Sequence, residues 1–325
     1  MDQVRPVFLF SLPRSGSTLL QRMLGSHSGI STTPEPWVLL PQLYSLRERG
    51  VYAEYGHRTS LRGLGSLVSA LPGGRESYLR EVRSMVTRLY SQASDPAAAY
   101  FLDKTPRYNL VAREIVELFP EGHFLVLWRN PLAVVASIVD TWLAGRWKLH
   151  HHKVDLYRGL EALAATVAAD PSRFLSLRYE DLVREPTEQV TRVLSHLGLG
   201  WEPAVLTGAG RRDPVAEIGD RVGAHSYDQV SRQSLVKWRS MLASPVRKAW
   251  ARRYLCWIGR ARLALMGYDL EGLLGELEAL PPDYSRLPDD VMLTARGVVW
   301  CVAEPRIARD KLAQLPGWSR VHSHD

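Results

Sequence analysis

Short apolar runs alternate with longer segments of helical spacing along the first half of the chain. Four runs have the length and the β-branched or aromatic content of strands: "PVFLFSL" (6–12), "YFLDK" (100–104), "HFLVLWR" (123–129) and "RFLSLRY" (173–179). Segments with apolar residues three and four apart lie between them, at 18–26, 76–90, 107–119, 131–143 and 154–168. Strands joined through helices need crossover connections, which predicts a three-layer α/β fold with a central parallel sheet flanked by helices. Such sheets bind ligands at the carboxyl ends of their strands, so the basic residues at or just beyond the strand ends are expected to converge on one crevice: Arg14, Lys104, Arg129 and Arg178.

Length and composition allow one large domain. A chain of 325 residues with 46% hydrophobic residues can bury a full core. The alternation of apolar runs and helical segments becomes irregular at "PPDYSRLPDD". We therefore expect one domain over residues 1–280 and a C-terminal extension over residues 281–325, which packs on the domain or trails from it.

Cysteine content and the N-terminus bear on location, and charge bears on partners. The first apolar stretch stops at Pro13, too early for a signal peptide or a membrane span. Cys256 and Cys301 are too few for a disulfide framework or a zinc site. Both features predict a cytoplasmic protein. The formal net charge of +7 indicates an anionic partner, but charge alone leaves nucleic acid, a membrane surface and a phosphorylated small molecule open.

The first predicted strand runs into a loop with the residues of an anion cradle, "LPRSGSTLL". Pro13 ends the strand, Gly16 permits a tight backbone path, and Ser17 or Thr18 can cap the following helix. Free N–H groups at a helix start, hydroxyls and Arg14 together would hold a phosphate or sulfate. The first glycine and the lysine of the nucleoside-triphosphatase signature G-x-x-x-x-G-K-[ST] are missing. The alternative is an ordinary strand–turn–helix junction with a surface arginine.

The third predicted strand ends in a second polar group, "WRNPLAVVAS". An enzyme that uses magnesium usually has an aspartate at such a strand end, whereas this chain has Arg129. Asn130 can cap the next helix, Pro131 suits its first turn, and Ser137 lies on nearly the same helix face as the cap. Two cradles on neighbouring strands predict a nucleotide with two separate phosphate centres and no metal between them.

Both segments resemble motifs of sulfotransferases that use 3′-phosphoadenosine 5′-phosphosulfate (PAPS). "LPRSGSTLL" resembles the loop that binds the 5′-phosphosulfate, and "WRNPLAVVAS" resembles the element that binds the 3′-phosphate. Arginine rather than lysine in the first loop is similar to the bacterial and tyrosylprotein-type branch, not to the cytosolic steroid and phenol branch. The resemblance covers roughly residues 6–240. It implies a P-loop-like fold, PAPS as co-substrate, PAP as product, and no metal.

The resemblance implies donor-binding roles for a set of residues. The first loop would hold the 5′-phosphosulfate, the second element would hold the 3′-phosphate, and a tyrosine and a late serine would lie near the nucleotide. In this sequence they are Arg14, Ser15, Gly16, Ser17, Thr18, Arg129, Ser137, Tyr179 and Ser231.

The resemblance also implies catalytic roles for Glu35 and Lys104. Glu35, between Pro34 and Pro36, has the place of a general base, and Lys104 that of the lysine that stabilises the bridging oxygen and the sulfuryl group. Sulfuryl transfer to a hydroxyl needs a base for the proton and cations beside the leaving phosphate, so these residue types fit the chemistry. The alternatives are an exposed loop glutamate and a surface pair of Lys104 with Asp103.

Three further features have simpler explanations. His27 is a candidate base, as a histidine is in the steroid and phenol branch, but its place after the first helix favours a structural role. The "HHH" tract (150–152) cannot chelate one metal, because successive helical residues diverge by about 100°. The basic stretch at 247–268 is predicted to pack on the sheet by its apolar face, with its arginines in water, rather than on a membrane.

Three other function classes compete with the sulfotransferase. A P-loop-type phosphoryl transferase such as a kinase needs a magnesium-binding acid where Arg129 stands. A nucleic-acid-binding module needs basic and aromatic residues interleaved on one surface, and the arginines here are dispersed. A non-catalytic nucleotide-binding protein stays open on sequence alone.

The acceptor is the least constrained part of the prediction. Residues 36–99 lie between the donor motifs and are expected to form the acceptor wall and a lid. Trp37, Tyr44, Tyr52 and Tyr55 suit a sugar and an apolar hydroxylated chain equally. We expect a hydroxylated acceptor: an acyl or polyketide chain, which the basic surface could dock on an acidic carrier protein, a saccharide or a small phenol. No nucleic acid and no integral membrane segment are expected.

Overall fold

The structure, a computed structural model, describes residues 3–48, 51, 53, 55–207 and 232–303. Its centre is a five-stranded parallel sheet in the order β2-β3-β1-β4-β5. The strands are β1 (Arg5–Ser11), β2 (Ile30–Thr32), β3 (Tyr100–Asp103), β4 (His123–Trp128) and β5 (Phe174–Arg178). The four predicted strands are confirmed. β2 is new, because three residues are too few to show a periodic pattern.

Helices cover both faces of the sheet. The α-helices in the described ranges are α1 (Ser17–Leu24), α2 (Leu39–Tyr44), α3 (His57–Ala70), α4 (Gly74–Gln92), α5 (Ala112–Leu118), α6 (Pro131–Thr141), α7 (Leu160–Ala169), α8 (Tyr179–Arg184), α9 (Pro186–Leu197), α10 (Ala204–Thr207), α11 (Trp238–Met241), α12 (Pro245–Leu265), α13 (Leu270–Glu278) and α14 (Leu287–Ala303). Short 3₁₀ turns occupy Pro106–Leu110, Leu149–His152, Pro171–Arg173 and Arg232–Leu235, and a π-helical turn, Val154–Gly159, leads into α7. None of the described helices is both long and apolar enough to cross a membrane.

The side chains of the central strand β1 alternate between two hydrophobic clusters. Phe8 and Phe10 belong to the larger cluster, which α4 to α7 and α12 cover. Val7 and Leu9 belong to the smaller cluster, which α1 and α8 to α10 cover. Successive strand residues face opposite sides of a sheet, so a strand buried on both sides is apolar throughout. The three-layer α/β prediction is confirmed.

Two helix starts follow the strand ends that carry the motifs. Gly16 is the N-cap of α1, with a φ of +89°, and no side chain caps this helix. The prediction that Ser17 or Thr18 caps it is therefore wrong, because the chain enters through a left-handed turn that glycine adopts at low cost. The cap of α6 is confirmed: the Asn130 side chain accepts a hydrogen bond from the Leu132 N–H at 2.9 Å.

The C-terminal helix α14 is joined to α12 by a buried ion pair. Arg247 donates two hydrogen bonds of 2.8 Å to the Asp290 carboxylate, and neither side chain is more than 3% exposed. The prediction that the arginines of 247–268 lie in water is wrong for Arg247, because a bidentate carboxylate partner lets a guanidinium be buried. The boundary that separates residues 281–325 as an extension stays a prediction.

Removal of the carboxylate in this pair tests what fastens α14 to the rest of the protein. Asp290→Ala is expected to lower the free energy of unfolding by about 3–5 kcal/mol, because Arg247 would remain buried without its partner. Asp289→Ala, at the exposed neighbouring position, is the control and should change it by about 0.5 kcal/mol or less. Equilibrium unfolding in urea measures both. Equal stability of the two variants would contradict this role.

Candidate active site

A cavity of about 480 Å³ opens at the edge of the sheet where β1 and β4 end. Parallel strands present their carboxyl ends at one edge, so the two sequence motifs meet there. Ser15 and Lys104 are buried next to residues of the cavity wall, and Ser231 lies outside the described residues. The predicted site residues that line the cavity are Arg14, Gly16, Ser17, Thr18, Glu35, Arg129, Ser137 and Tyr179.

The loop after β1 passes directly against the ring of Tyr179. A side-chain carbon added to Gly16 would lie 2.3 Å from that ring, so this approach requires glycine. The first N–H groups of α1 follow, and they have no carbonyl partner within the helix. Together with Ser17 and Thr18 on the cavity wall, they supply the donors of an anion site.

Arg14 links this loop to α6. Its Nε donates to the Ser137 hydroxyl and its Nη2 to the Thr141 hydroxyl, both at 3.3 Å, and its guanidinium lies 5.6 Å from the ring centre of Trp142. Its φ of +67° is left-handed, which costs a non-glycine residue about 1 kcal/mol or more, and these contacts help to offset that cost. Arg14 and Ser137, which the resemblance assigns to different phosphates, are therefore neighbours.

Arg129 is a buried cation held by backbone carbonyls. Its Nη1 donates to the Arg14 carbonyl at 2.7 Å and its Nη2 to the Ser234 carbonyl at 3.0 Å. Its guanidinium lies 4.3 Å from the ring centre of Tyr179. Its Nε is buried and has no hydrogen-bond partner among the described residues. A buried donor without a partner is costly, so this atom marks a place for a ligand.

The serine beside Tyr179 is Ser234, whereas the sequence predicts Ser231 for this place. The Ser234 hydroxyl lies 2.9 Å from the Tyr179 hydroxyl, and Ser234 lines the cavity. Ser231, the predicted late serine, lies three positions earlier and outside the described residues. Both serines belong to one polar stretch whose spacing carries no periodic signal, which explains why the sequence did not distinguish them.

Glu35 and Lys104 form a buried ion pair. Lys104 Nζ donates to Glu35 Oε1 at 2.8 Å, and the side chains are 3% and 9% exposed. This burial excludes both alternatives from the sequence, an exposed glutamate and a surface pair of Lys104 with Asp103. The loop around Glu35 is left-handed, with a φ of +21° at Glu35 and +55° at Trp37.

Asp103, the last residue of β3, is fully buried and was not predicted as a site residue. Alternation along β3 puts it on the same face as Phe101, toward α4, where the Tyr90 hydroxyl donates to it at 2.5 Å. Burial raises the pKa of Asp103 to about 6, although the nearby hydroxyls of Tyr90, Thr105 and Tyr108 and the charge of Lys104 oppose that rise. The feature of the sequence that could have pointed to Asp103 is an acidic residue at the end of an apolar strand.

The far wall of the cavity combines aromatic rings with an ion pair. Trp37, Trp142 and His152 supply the rings, and Trp142 lies 5.1 Å from His152 between ring centres. Arg107 Nε lies 3.0 Å from Asp155 Oδ1. Burial raises the pKa of Asp155, and the positive charge of Arg107 opposes part of that rise.

Most of this wall comes from outside the predicted range 36–99. Within that range, Trp37 alone lines the cavity in the part of the chain that the structure describes. Tyr44 packs against the guanidinium of Arg47, Tyr55 is 69% exposed, and Tyr52 lies outside the described residues. The prediction of a wall built from 36–99 is therefore wrong for the described residues of that range other than Trp37.

Arg178 does not join the other strand-end cations, contrary to what its position predicts. Alternation along β5 puts Arg178 on the face of Phe174, and its guanidinium lies 4.7 Å from the ring centre of Tyr268. His27 lies at the opposite edge of the sheet, before β2, where Nε2 is 2.9 Å from the Gly200 carbonyl. That position agrees with a structural histidine.

The histidine tract is divided between two surroundings. His150 and His151 pack on Trp300 of α14, while His152 lines the cavity. Within the described ranges there is no group of three or more histidine, cysteine, aspartate or glutamate side chains arranged to hold a metal ion.

Residues 6–203 match the family model described as "Sulfotransferase family". The chain is 30% identical to nodulation protein NoeE of Sinorhizobium fredii over 72% of its own length and 60% of the length of NoeE. It therefore spans less than two thirds of that relative. It is 24% identical to protein-tyrosine sulfotransferase 1 of Danio rerio over 88% of its own length and 76% of that protein.

A solved structure shares the fold. The sulfotransferase domain from the Synechococcus PCC 7002 olefin synthase aligns with a TM-score of 0.51 at 23% identity, over 74% of this chain and 89% of that one. This likeness confirms the P-loop-like α/β fold. Because the family model matches more than half of the sequence, the chain belongs to the sulfotransferase family.

Proposed function

We propose that this sulfotransferase takes a sulfuryl group from PAPS and transfers it directly, in line, to a hydroxyl of its acceptor, with Glu35 as general base. One observation carries the proposal: two separate groups of anion-binding donors and a buried glutamate–lysine pair meet at one cavity. The first group is the loop around Gly16, and the second is centred on Arg129.

The residues of the cavity fit a nucleotide with two phosphate centres. The loop at Gly16 offers N–H groups and hydroxyls, and the buried Nε of Arg129 lacks an acceptor that a phosphate oxygen would supply. When bound, PAPS provides the sulfuryl group and a phosphate leaving group. The proposal includes no metal, because Arg129 stands at the strand end where magnesium-dependent enzymes usually have an acid.

Glu35 and Lys104 are suited to act in sequence. The ion pair fixes one carboxylate oxygen of Glu35, which orients the base toward the acceptor hydroxyl. Once Glu35 has taken the proton, its attraction for Lys104 is weakened. The ammonium of Lys104 can then stabilise negative charge on the oxygen that bridges sulfur and phosphorus, at the stage when this charge develops.

The acceptor side of the cavity supports a hydroxylated acceptor. The rings of Trp37 and Trp142 suit a sugar, a phenol or an apolar chain, and the pair of Arg107 with Asp155 offers polar contacts. A net charge of +7 supports an acceptor chain carried on an acidic protein, and the related solved domain comes from an olefin synthase. We also propose a cytoplasmic location, because the chain has only two cysteines.

The alternatives fit less of the site. A phosphoryl transferase would leave Arg129 in the place of its magnesium-binding acid. A non-catalytic nucleotide-binding protein would have no use for a carboxylate and an ammonium buried together at the cavity wall, since burial of charge is costly.

Glu35→Gln tests the base. The substitution keeps the shape of the side chain and removes the proton acceptor, so turnover should fall by about 10²- to 10⁴-fold while affinity for PAP stays near wild type. Turnover is measured by mass spectrometry as the gain of one sulfuryl group, on an acceptor found in a screen of hydroxylated compounds. Full turnover in Glu35→Gln would move the search for a base to His152, the histidine on the cavity wall.

Arg129→Ala tests the second phosphate site. Loss of a charge-assisted contact should weaken PAP binding by about 1.5–3 kcal/mol, or roughly 10- to 150-fold, and much turnover should return at saturating donor. Arg178→Ala is the matched control, a strand-end arginine outside the cavity, and should leave PAP affinity unchanged. Calorimetric titration compares the two. Normal PAP binding by Arg129→Ala would contradict the two-phosphate assignment.

A further inference from the structure

A buried carboxylate connects two parts of the active-site scaffold that are far apart in the chain. Asp103 accepts hydrogen bonds from the hydroxyls of Tyr90 at 2.5 Å and Thr105 at 3.0 Å, and the Tyr108 hydroxyl faces the same carboxylate. All four side chains are at most 2% exposed. Asp103 does not line the cavity in the described part of the chain, so its role must be exerted through these hydroxyls.

Two of the three hydroxyls also hold the loop that carries Glu35. The Trp37 N–H donates to Thr105 Oγ1 at 3.4 Å, and the Leu39 N–H donates to the Tyr108 hydroxyl at 3.1 Å. A hydroxyl has one proton to donate and lone pairs to accept with. An ionised Asp103 accepts the Thr105 proton and attracts the Tyr108 proton that faces it, which leaves the lone pairs of Thr105 and Tyr108 for the loop.

The loop needs acceptors from outside itself. Glu35 and Trp37 are non-glycine residues with positive φ, a conformation that persists only where the surroundings enforce it. The next helix, α2, has Val38 as its N-cap and no side-chain cap. The Leu39 N–H at its start would be buried without a partner if Tyr108 did not accept from it.

The charge state of Asp103 agrees with this role. The groups that face it are Tyr90 from α4, Tyr108 from the 3₁₀ turn after β3, and Lys104 from its own strand end. Burial raises its pKa to about 6, so the carboxylate is ionised at neutral pH and can only accept hydrogen bonds. Burial also raises the pKa values of Tyr90 and Tyr108, which keeps both hydroxyls protonated as donors.

We propose that Asp103 is a positioning residue: through Thr105 and Tyr108 it holds the strained loop that places Glu35 beside Lys104 and the acceptor. The inference rests on the proposed role of Glu35 as base. Displacement of a catalytic group by about 1 Å can cost about 10²-fold in rate, so loss of either loop contact should lower turnover without weakening donor binding.

Two tyrosines make a matched pair of tests. Tyr108→Phe removes a hydroxyl that faces Asp103 and accepts from the Leu39 N–H of the loop, whereas Tyr90→Phe removes a hydroxyl that donates to Asp103. Tyr108→Phe should lower kcat by about 10- to 100-fold, and Tyr90→Phe should keep kcat within about twofold of wild type. Both should bind PAP like wild type in calorimetry. Thr105→Val, which removes the other loop contact at nearly constant volume, should behave like Tyr108→Phe.

The kcat of every variant is measured at saturating PAPS on the hydroxylated acceptor found in the screen. The bond between sulfur and the phosphate oxygen of PAPS breaks as the bond between sulfur and the acceptor oxygen forms, and the hydroxyl proton goes to Glu35. The products are the sulfated acceptor and PAP, and the gain of one sulfuryl group is followed by mass spectrometry.

A double-mutant cycle separates positioning from general destabilisation. If Tyr108 acts by placing Glu35, then Tyr108→Phe in a Glu35→Gln background should cause no further loss of kcat. Equal kcat for Tyr108→Phe and Tyr90→Phe, or losses that multiply in the double variant, would overturn the positioning role while leaving the base intact. Full turnover by Glu35→Gln alone would overturn the base assignment, and the positioning role with it.

Discussion

The parallel orientation of all five strands is the constraint on which the site depends. It brings the carboxyl ends of β1, β3 and β4 to one edge, and each of these ends contributes a different kind of group. The loop after β1 supplies donors around Gly16, β3 is followed by Lys104, and β4 by Arg129. The order β3-β1-β4 sets the anion-binding loop between the two cations. Antiparallel strands would send these groups to opposite edges.

The two arginines on the donor side of the cavity donate hydrogen bonds to neutral groups. Arg129 donates to two backbone carbonyls and Arg14 to hydroxyls of α6. Lys104 has a charged partner instead, Glu35, which is the group assigned to take a proton. In this proposal, anion binding and proton transfer therefore depend on different cations. Lys104 can stabilise negative charge on the leaving group only after its partner Glu35 has been protonated.

The sequence predicted what depends on local pattern and missed what depends on long-range contact. Periodicity predicted four strands and the helix starts at both motifs, and the residues that line the donor side followed from those positions. β2 was missed because it is three residues long, and the cap at Gly16 because only its left-handed φ reveals it. Asp103 was missed because its partner Tyr90 lies on another element, and Arg178 was misplaced because strand alternation turns it toward Tyr268.

The central claim, one cavity for a nucleotide with two phosphate centres, is tested most directly by calorimetric titration with PAP and with adenosine 5′-monophosphate, each with and without a chelator. The account predicts that PAP binds at one site at least about 10-fold more tightly than the monophosphate, because only PAP carries the 3′-phosphate for Arg129, and that the chelator changes neither affinity. Equal affinity for both nucleotides, or loss of PAP binding on chelation, would contradict it.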